Sequence, residues 1–214
     1  NLLTKGNPKI EKKFVELARS DPSSLVRLAL ASSLQRLPVS SRGKLAQALA
    51  SRVEDAKDHN LPAMVWYGIT PLTESDAEAL VGVARATKWK SLRSWIARSL
   101  SDQAKEQPEG LQALLSLIME QPTGADSLLL GMEEAFRGIK KDEAPPNWSR
   151  VQAKLGKRPA VLRLSALFGD EGVMDDFAEL AAAAHLSSEV RRRALQSLID
   201  AWSPNLRKLC MDLL

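Results

Sequence analysis

The chain has 214 residues with 30 basic against 26 acidic side chains, a net charge of +4, and an apolar share of 44%. Those values fit an ordinary globular protein and speak against a collagen-like, broadly disordered or strongly basic nucleic-acid-binding chain. Cys210 is the single cysteine, which excludes an internal disulfide, a cysteine-built zinc site and a CxxCH haem attachment. No run approaches the ~20 apolar residues needed to cross a bilayer, and NLLTKGNPKIEKKF lacks a signal peptide's apolar core. Beginning without Met, the chain reads as a segment of a longer protein whose targeting information lies elsewhere.

Periodicity predicts helices throughout. The first runs from Pro8 to Ser20, with Ile10, Phe14, Leu17 and Ala18 at helical spacing. Asp21 to Leu37 predicts the second, opened by Pro22 in its first turn and closed by Pro38. Ser40 and Ser41 are expected to cap a third helix through Leu45, Leu49 and Val53. A fourth carries LPAMVWYGI from Asn60, and a fifth starts at Ser75–Asp76. Lys90 to about Gln107, Pro108 to Glu120 and Ala125 to Lys140 follow. The polar stretch KKDEAPPN predicts the one real loop and a possible internal break near 141–147. Beyond it come Trp148–Leu155, Pro159–Phe168 with Gly169 as a stop, 172–184, 188–202 and a last helix, 205–214. No period-two strand pattern occurs, so the fold class is all-α.

A pair recurs at helix starts: Val26-Arg27, Leu92-Arg93, Leu162-Arg163 and Val190-Arg191. Arg27 and Arg93 lie 66 positions apart, Arg93 and Arg163 lie 70 apart, and Arg163 and Arg191 lie 28 apart. The first two intervals are each about two units of 33–35 residues, the length of a helix-pair repeat. Leu34, Leu100 and Leu198 stand eight positions after the leading apolar residue, and Asp170 breaks the pattern in the remaining unit. About six helix pairs fit the length, each burying the apolar face of its neighbour. The expected architecture is an α-α superhelix over 1–214.

This pattern resembles HEAT and armadillo-like repeats. A narrower resemblance covers Asp21 to Leu72, carried by DPSSLVRLALASSLQRLP, the Asp58-His59-Asn60-Leu61-Pro62 block and Trp66-Tyr67-Gly68. It is to the HEAT-repeat segment of planctomycete- and verrucomicrobia-type membrane-bound dehydrogenase proteins. In that family a dehydrogenase-like propeller precedes the repeats and a c-type cytochrome domain follows them. The resemblance implies an exported or periplasmic electron-transfer parent, with haem c only in a flanking domain and no cofactor in this segment. The implied role is that of a non-catalytic spacer or docking scaffold. Its partners would be flanking domains or another protein, without membrane contact by this segment.

Individual constellations have plainer explanations beside them. Asp55, Asp58 and His59 could converge on a metal, but Asp58 or Asn60 capping the next helix explains them better. Trp66 and Tyr67 point about 100° apart on a helix, so one is expected in the core and the other at a groove or repeat seam. Trp95 beside Ile96 is expected in the core. Trp89, Trp148 and Trp202 are expected at helix corners with the indole N–H kept wet. A second function class follows from Lys88, Lys90, Arg93 and Arg98 near Trp89 and Trp95. That set imitates the basic face of HEAT-like DNA-alkylation-repair glycosylases, but no aspartate is placed between aromatic residues, and nucleic acid is the weaker expectation. Arg191 is expected to bond an acid of the adjoining unit, Arg192 and Arg193 are most simply solvated, and His185, after four alanines, is a helix-end residue. The candidate interaction or seam residues are Arg27, Asp58, His59, Asn60, Trp66, Tyr67, Arg93, Arg163 and Arg191. No catalytic or metal-binding residue is assigned.

Overall fold

A computed structural model describes residues 7–139, 142–170, 172–200 and 211. Every regular element among them is helical and no strand forms. The elements are α1 (Pro8–Ser20), α2 (Ser24–Ser33), α3 (Val39–Ala50), α4 (Leu61–Ile69), α5 (Leu72–Ser75), α6 (Ala77–Ala86), α7 (Lys90–Asp102), α8 (Pro108–Glu120), α9 (Ala125–Ala135), α10 (Trp148–Leu155), α11 (Pro159–Leu167), α12 (Val173–Ala182) and α13 (Ser188–Asp200). Short 3₁₀ turns occupy Leu34–Arg36, Val53–Lys57 and Pro122–Gly124. Cys210, Trp202 and the helix expected over 205–214 lie outside the described residues.

Local chemistry sets the helix ends, and it moves several from their expected places. Proline disfavours helical backbone in the residue before it, so Asp21 is extended (ψ 127°) and closes α1. Its carboxylate accepts from the Ser23 amide. The second helix therefore starts at Ser24 with Ser23 as N-cap, and Pro22 stands outside it. Pro38 imposes the same restriction on Leu37 (ψ 153°), and the last turn tightens into the 3₁₀ stretch. Val53 is not on the core face of α3; it begins the next 3₁₀ turn and is 61% exposed. The sixth expected helix stops at Asp102, short of Gln107. α9 stops at Ala135 rather than Lys140, followed by Gly138 in left-handed backbone (φ 87°), which suits the end of a helix.

The chain groups into two compact units, Asn1–Phe136 and Arg137–Leu214. KKDEAPPN begins shortly after that boundary. In the first unit alternate helices pack side by side in two rows. One row contains α1, α3, α6 and α8, and the other contains α2, α4, α7 and α9. Leu34, Leu61, Val65, Leu80, Val83, Leu92, Ile96, Leu100, Leu114 and Leu128 fill the space between the rows, each fully or almost fully buried. Burying such a side chain stabilises by about 1.5–3 kcal/mol, so the stripes read from the sequence are the main source of cohesion.

Two glycines let neighbours in the second row approach closely. A Cβ at Gly68 on α4 would stand 2.5 Å from the Leu34 Cβ, and one at Gly131 on α9 would stand 2.1 Å from the Ser94 carbonyl oxygen. In the second unit, Leu162, Val173, Phe177, Ala181, Ala194 and Leu198 form the core of α11, α12 and α13. Trp148 is buried there, edge-on to Phe168 with ring centroids 5.1 Å apart.

Candidate binding face

The recurring arginines anchor the second row to its neighbouring turns. Arg27 lies on α2 and is buried at 3% exposure. Its Nε and second terminal nitrogen donate to the two carboxylate oxygens of Asp55 at 2.5 and 2.6 Å, and its remaining nitrogen donates to the Asp21 carbonyl at 2.9 Å. A bidentate pair of this kind holds two elements in fixed register. Hydrogen bonding to Asp55 also holds the Arg27 guanidinium above its ordinary pKa. Asp55 is consequently a counter-ion for Arg27 and part of the turn that leads into α4, rather than a ligand awaiting a metal.

Arg93 occupies the corresponding place on α7 and is buried at 4% exposure. It again reaches the residue 28 positions on, which is here Gln121, at 3.0 Å. It also donates to the carbonyls of Ala84 (2.7 Å), Thr87 (3.4 Å) and Gly124 (3.3 Å). Among the described residues no carboxylate pairs with it, and its buried Nε has no acceptor. Burial alone moves its pKa down, although a guanidinium stays protonated in a protein. Arg191 donates to the Ala181 carbonyl at 3.0 Å, so among the described residues its partner is a backbone oxygen and not the expected acid. Arg192 and Arg193 share Glu189 within one exposed helix surface. Arg163 is half-buried on α11.

Asp58, His59 and Asn60 form the corner before α4, and all three are exposed. The Asp58 carboxylate accepts from the amides of Asn60 and Leu61 at 2.9 and 2.8 Å. These bonds to the charged form pull its pKa below the ordinary carboxylate value. Asp58 is therefore the residue that satisfies the orphan amides at the start of α4. Because its folded pKa is depressed, its contribution is complete above the unfolded value near ~4 and is lost as pH falls through the folded value. Replacing Asp58 with Ala is expected to cost about 0.5–1 kcal/mol at neutral pH. Urea unfolding at pH 7 and pH 3 checks this: the gap between wild type and variant should shrink at the lower pH. Asn at this position should retain most of the capping and lose the pH dependence. Among the described residues no three His, Cys, Asp or Glu side chains converge as a metal site.

The second row presents aromatic residues on its surface. Trp66 and Trp95, each half-buried, lie with ring centroids 6.3 Å apart and planes inclined by 41°. Tyr67 is 60% exposed beside them. With Ala63, Arg98, Ser99 and Asp102 they line a groove of about 430 Å³ on α4 and α7. Trp95 also borders a larger groove, about 920 Å³, between α7, α9 and the Pro122–Gly124 turn. Trp95 is thus shared between a groove wall and the core edge, and not enclosed as its neighbour Ile96 is.

No family model, curated protein or solved structure matches this chain.

Two members of the basic-aromatic set turn inward. Trp89 is buried and its indole nitrogen donates to the Arg52 carbonyl at 2.8 Å, and the Arg93 guanidinium is surrounded by backbone oxygens. Lys88, Lys90 and Arg98 remain exposed, with Arg98 set 3.7 Å from Asp102. Trp148 is likewise not wet at its nitrogen, which donates to the buried Ser165 hydroxyl at 2.9 Å. Arg42 escaped the sequence reasoning altogether. It donates to the carbonyls of Leu37, Gly68 and Gln35 at 3.0–3.1 Å, closing the end of α4 against the preceding 3₁₀ turn. No apolar-Arg pair marks it. Its only signal is a position a few residues after Pro38, close to the carbonyls that the broken helix leaves open.

Proposed function

We propose that the chain is a non-catalytic scaffold of HEAT-like helix pairs, an α-solenoid whose α4–α7–α9 face holds another protein or a flanking domain. The observation that carries this reading is the cluster of Trp66, Tyr67 and Trp95 beside Arg98, at the edge of two adjoining grooves. Tryptophan, tyrosine and arginine are the side chains that most often dominate protein–protein binding energy, because they bury a large rigid surface at little conformational cost. An exposed tyrosine next to two half-covered indoles has little structural purpose of its own. The alternate-helix rows and the arginine that twice reaches the residue 28 positions on support the repeat reading.

The narrower proposal makes this segment a spacer between a dehydrogenase propeller and a c-type cytochrome in an exported or periplasmic protein. It rests on the resemblance across residues 21–72. A photo-activated cross-linker placed at position 67 of the full-length polypeptide tests both levels. Adducts to protein support the scaffold, and an intramolecular adduct to a haem-bearing region supports the spacer. Adducts to nucleic acid would instead favour the basic superhelix reading.

A further inference from the structure

The four described tryptophans divide by what their indole N–H groups do. Trp89 and Trp148 are buried and donate inside the fold, to the Arg52 carbonyl and the Ser165 hydroxyl. Trp66 and Trp95 are half-buried and donate to nothing among the described residues, and neither indole nitrogen is enclosed. The Tyr67 hydroxyl, on a side chain 60% exposed, likewise has no partner among the described residues. One groove of about 430 Å³ is therefore lined by three partly uncovered rings, each carrying an unused hydrogen-bond donor.

The rest of the lining decides which occupant suits those donors. The Ser99 hydroxyl is bonded to that of Thr73 at 2.7 Å. Arg98 and Asp102 stand 3.7 Å apart on successive turns of α7, so the groove's single cation and single carboxylate offset each other. A balanced lining gives a charged segment of either sign no preference. Single-stranded nucleic acid could stack its bases on the rings, but it finds no basic track for its phosphates in this groove. An α-helix brings carbonyls already bonded within itself. A polyproline II segment is complementary on each count. It has no internal hydrogen bonds, so its carbonyls remain free to accept, and proline adds neither an N–H nor a charge. Its pyrrolidine rings offer apolar surface to the indole and phenol faces, and its preformed backbone loses little entropy on docking.

We propose that the α4–α7 groove docks an uncharged, proline-rich protein segment in polyproline II form, whose carbonyls accept from Trp66, Tyr67 and Trp95. This rests on the scaffold reading and adds the chemistry of the partner.

The test measures fluorescence polarisation of a short fluorescein-labelled oligoproline with the full chain, beside a glycine-serine peptide of equal length and an amphipathic leucine-rich helical peptide. Oligoproline should bind at least tenfold more tightly than either, and added salt should leave that preference in place because no charge carries it. Tyr67→Ala, at an exposed position, should lose about tenfold. Tyr67→Phe/Trp95→Phe keeps two rings but removes two donors, and should lose about as much. Arg192→Gln/Arg193→Gln, in the other compact unit, should change nothing. Absence of oligoproline binding, equal affinity for the glycine-serine peptide, or unchanged binding by either aromatic variant would overturn the proposal. Tighter binding of the helical peptide, or of a single-stranded oligonucleotide, would overturn it in favour of that class. Protein adducts from position 67 with no proline preference would remove the proline-rich partner and leave the scaffold standing.

Discussion

Replacing Asp55 with Ala is expected to destabilise the first unit by about 3–5 kcal/mol, among the largest effects available at any one side chain. The carboxylate meets Arg27 through two short bonds, and both groups are almost fully enclosed. Removing it strands a guanidinium that can neither reach water nor give up its proton. Arg27→Met strands Asp55 in the same way, and it also frees the Asp21 carbonyl that ends α1. The double variant Arg27→Met/Asp55→Leu should lose far less than the sum of the single losses, because no unpaired charge remains. Denaturant unfolding of the four members of the cycle measures the coupling. Single losses below about 1 kcal/mol, or simple additivity, would mean that water reaches the pair and that it does not fasten α2 to the turn before α4.

Gly131→Ala is the second large effect. The new methyl group would lie 2.1 Å from the Ser94 carbonyl oxygen and 2.9 Å from the Ala97 Cβ, both on α7. A backbone carbonyl cannot swing aside as a long side chain can, so α7 and α9 must separate. Overpacking of this kind costs about 1–3 kcal/mol or more, and the better helix propensity of alanine returns at most about 1 kcal/mol. Gly82→Ala is the control, since its nearest neighbour is the Gln47 side-chain nitrogen at 2.7 Å, the mobile end of a flexible chain. Thermal unfolding should show a clear loss for Gly131→Ala and little change or a slight gain for Gly82→Ala. Equal midpoints would show that α7 and α9 are not closely packed at this point.

The two cases also mark how far a sequence can be read. The helices follow from apolar periodicity, and the recurrence of Arg27 at Arg93 after 66 positions is visible in the chain itself. Leu34, Leu100 and Leu198 are buried where their common offset places them. The different partners at Asp55 and Gln121 were not legible, since no local pattern says which residue faces an arginine 28 positions earlier. Trp89 and Trp148 are enclosed because the Arg52 carbonyl and the Ser165 hydroxyl satisfy their N–H groups. The first of these acceptors is 37 residues away, beyond any local rule. Gly131 carries no turn signal, and its need for a missing Cβ arises only when another helix lies against it. Helix ends shifted for a simpler reason: the Asp21-Pro22 pair closes one helix rather than opening the next.

The aromatic cluster of the candidate binding face was half legible. Adjacent Trp66 and Tyr67 diverge on a helix, but the expectation that one of them joins the core is not met: Trp66 is half-buried, Tyr67 is exposed, and both line the smaller groove. That Trp95 meets Trp66 depends on α4 lying beside α7, which is tertiary information. The central claim is that these three side chains bind protein. Photo-cross-linking from position 67 in the full-length polypeptide tests it most directly, with the exposed position 150 on α10 as the control. The account predicts discrete protein adducts from position 67, diminished by Trp95→Ala and absent from position 150. Adducts from both positions alike, or adducts to nucleic acid alone, would contradict it.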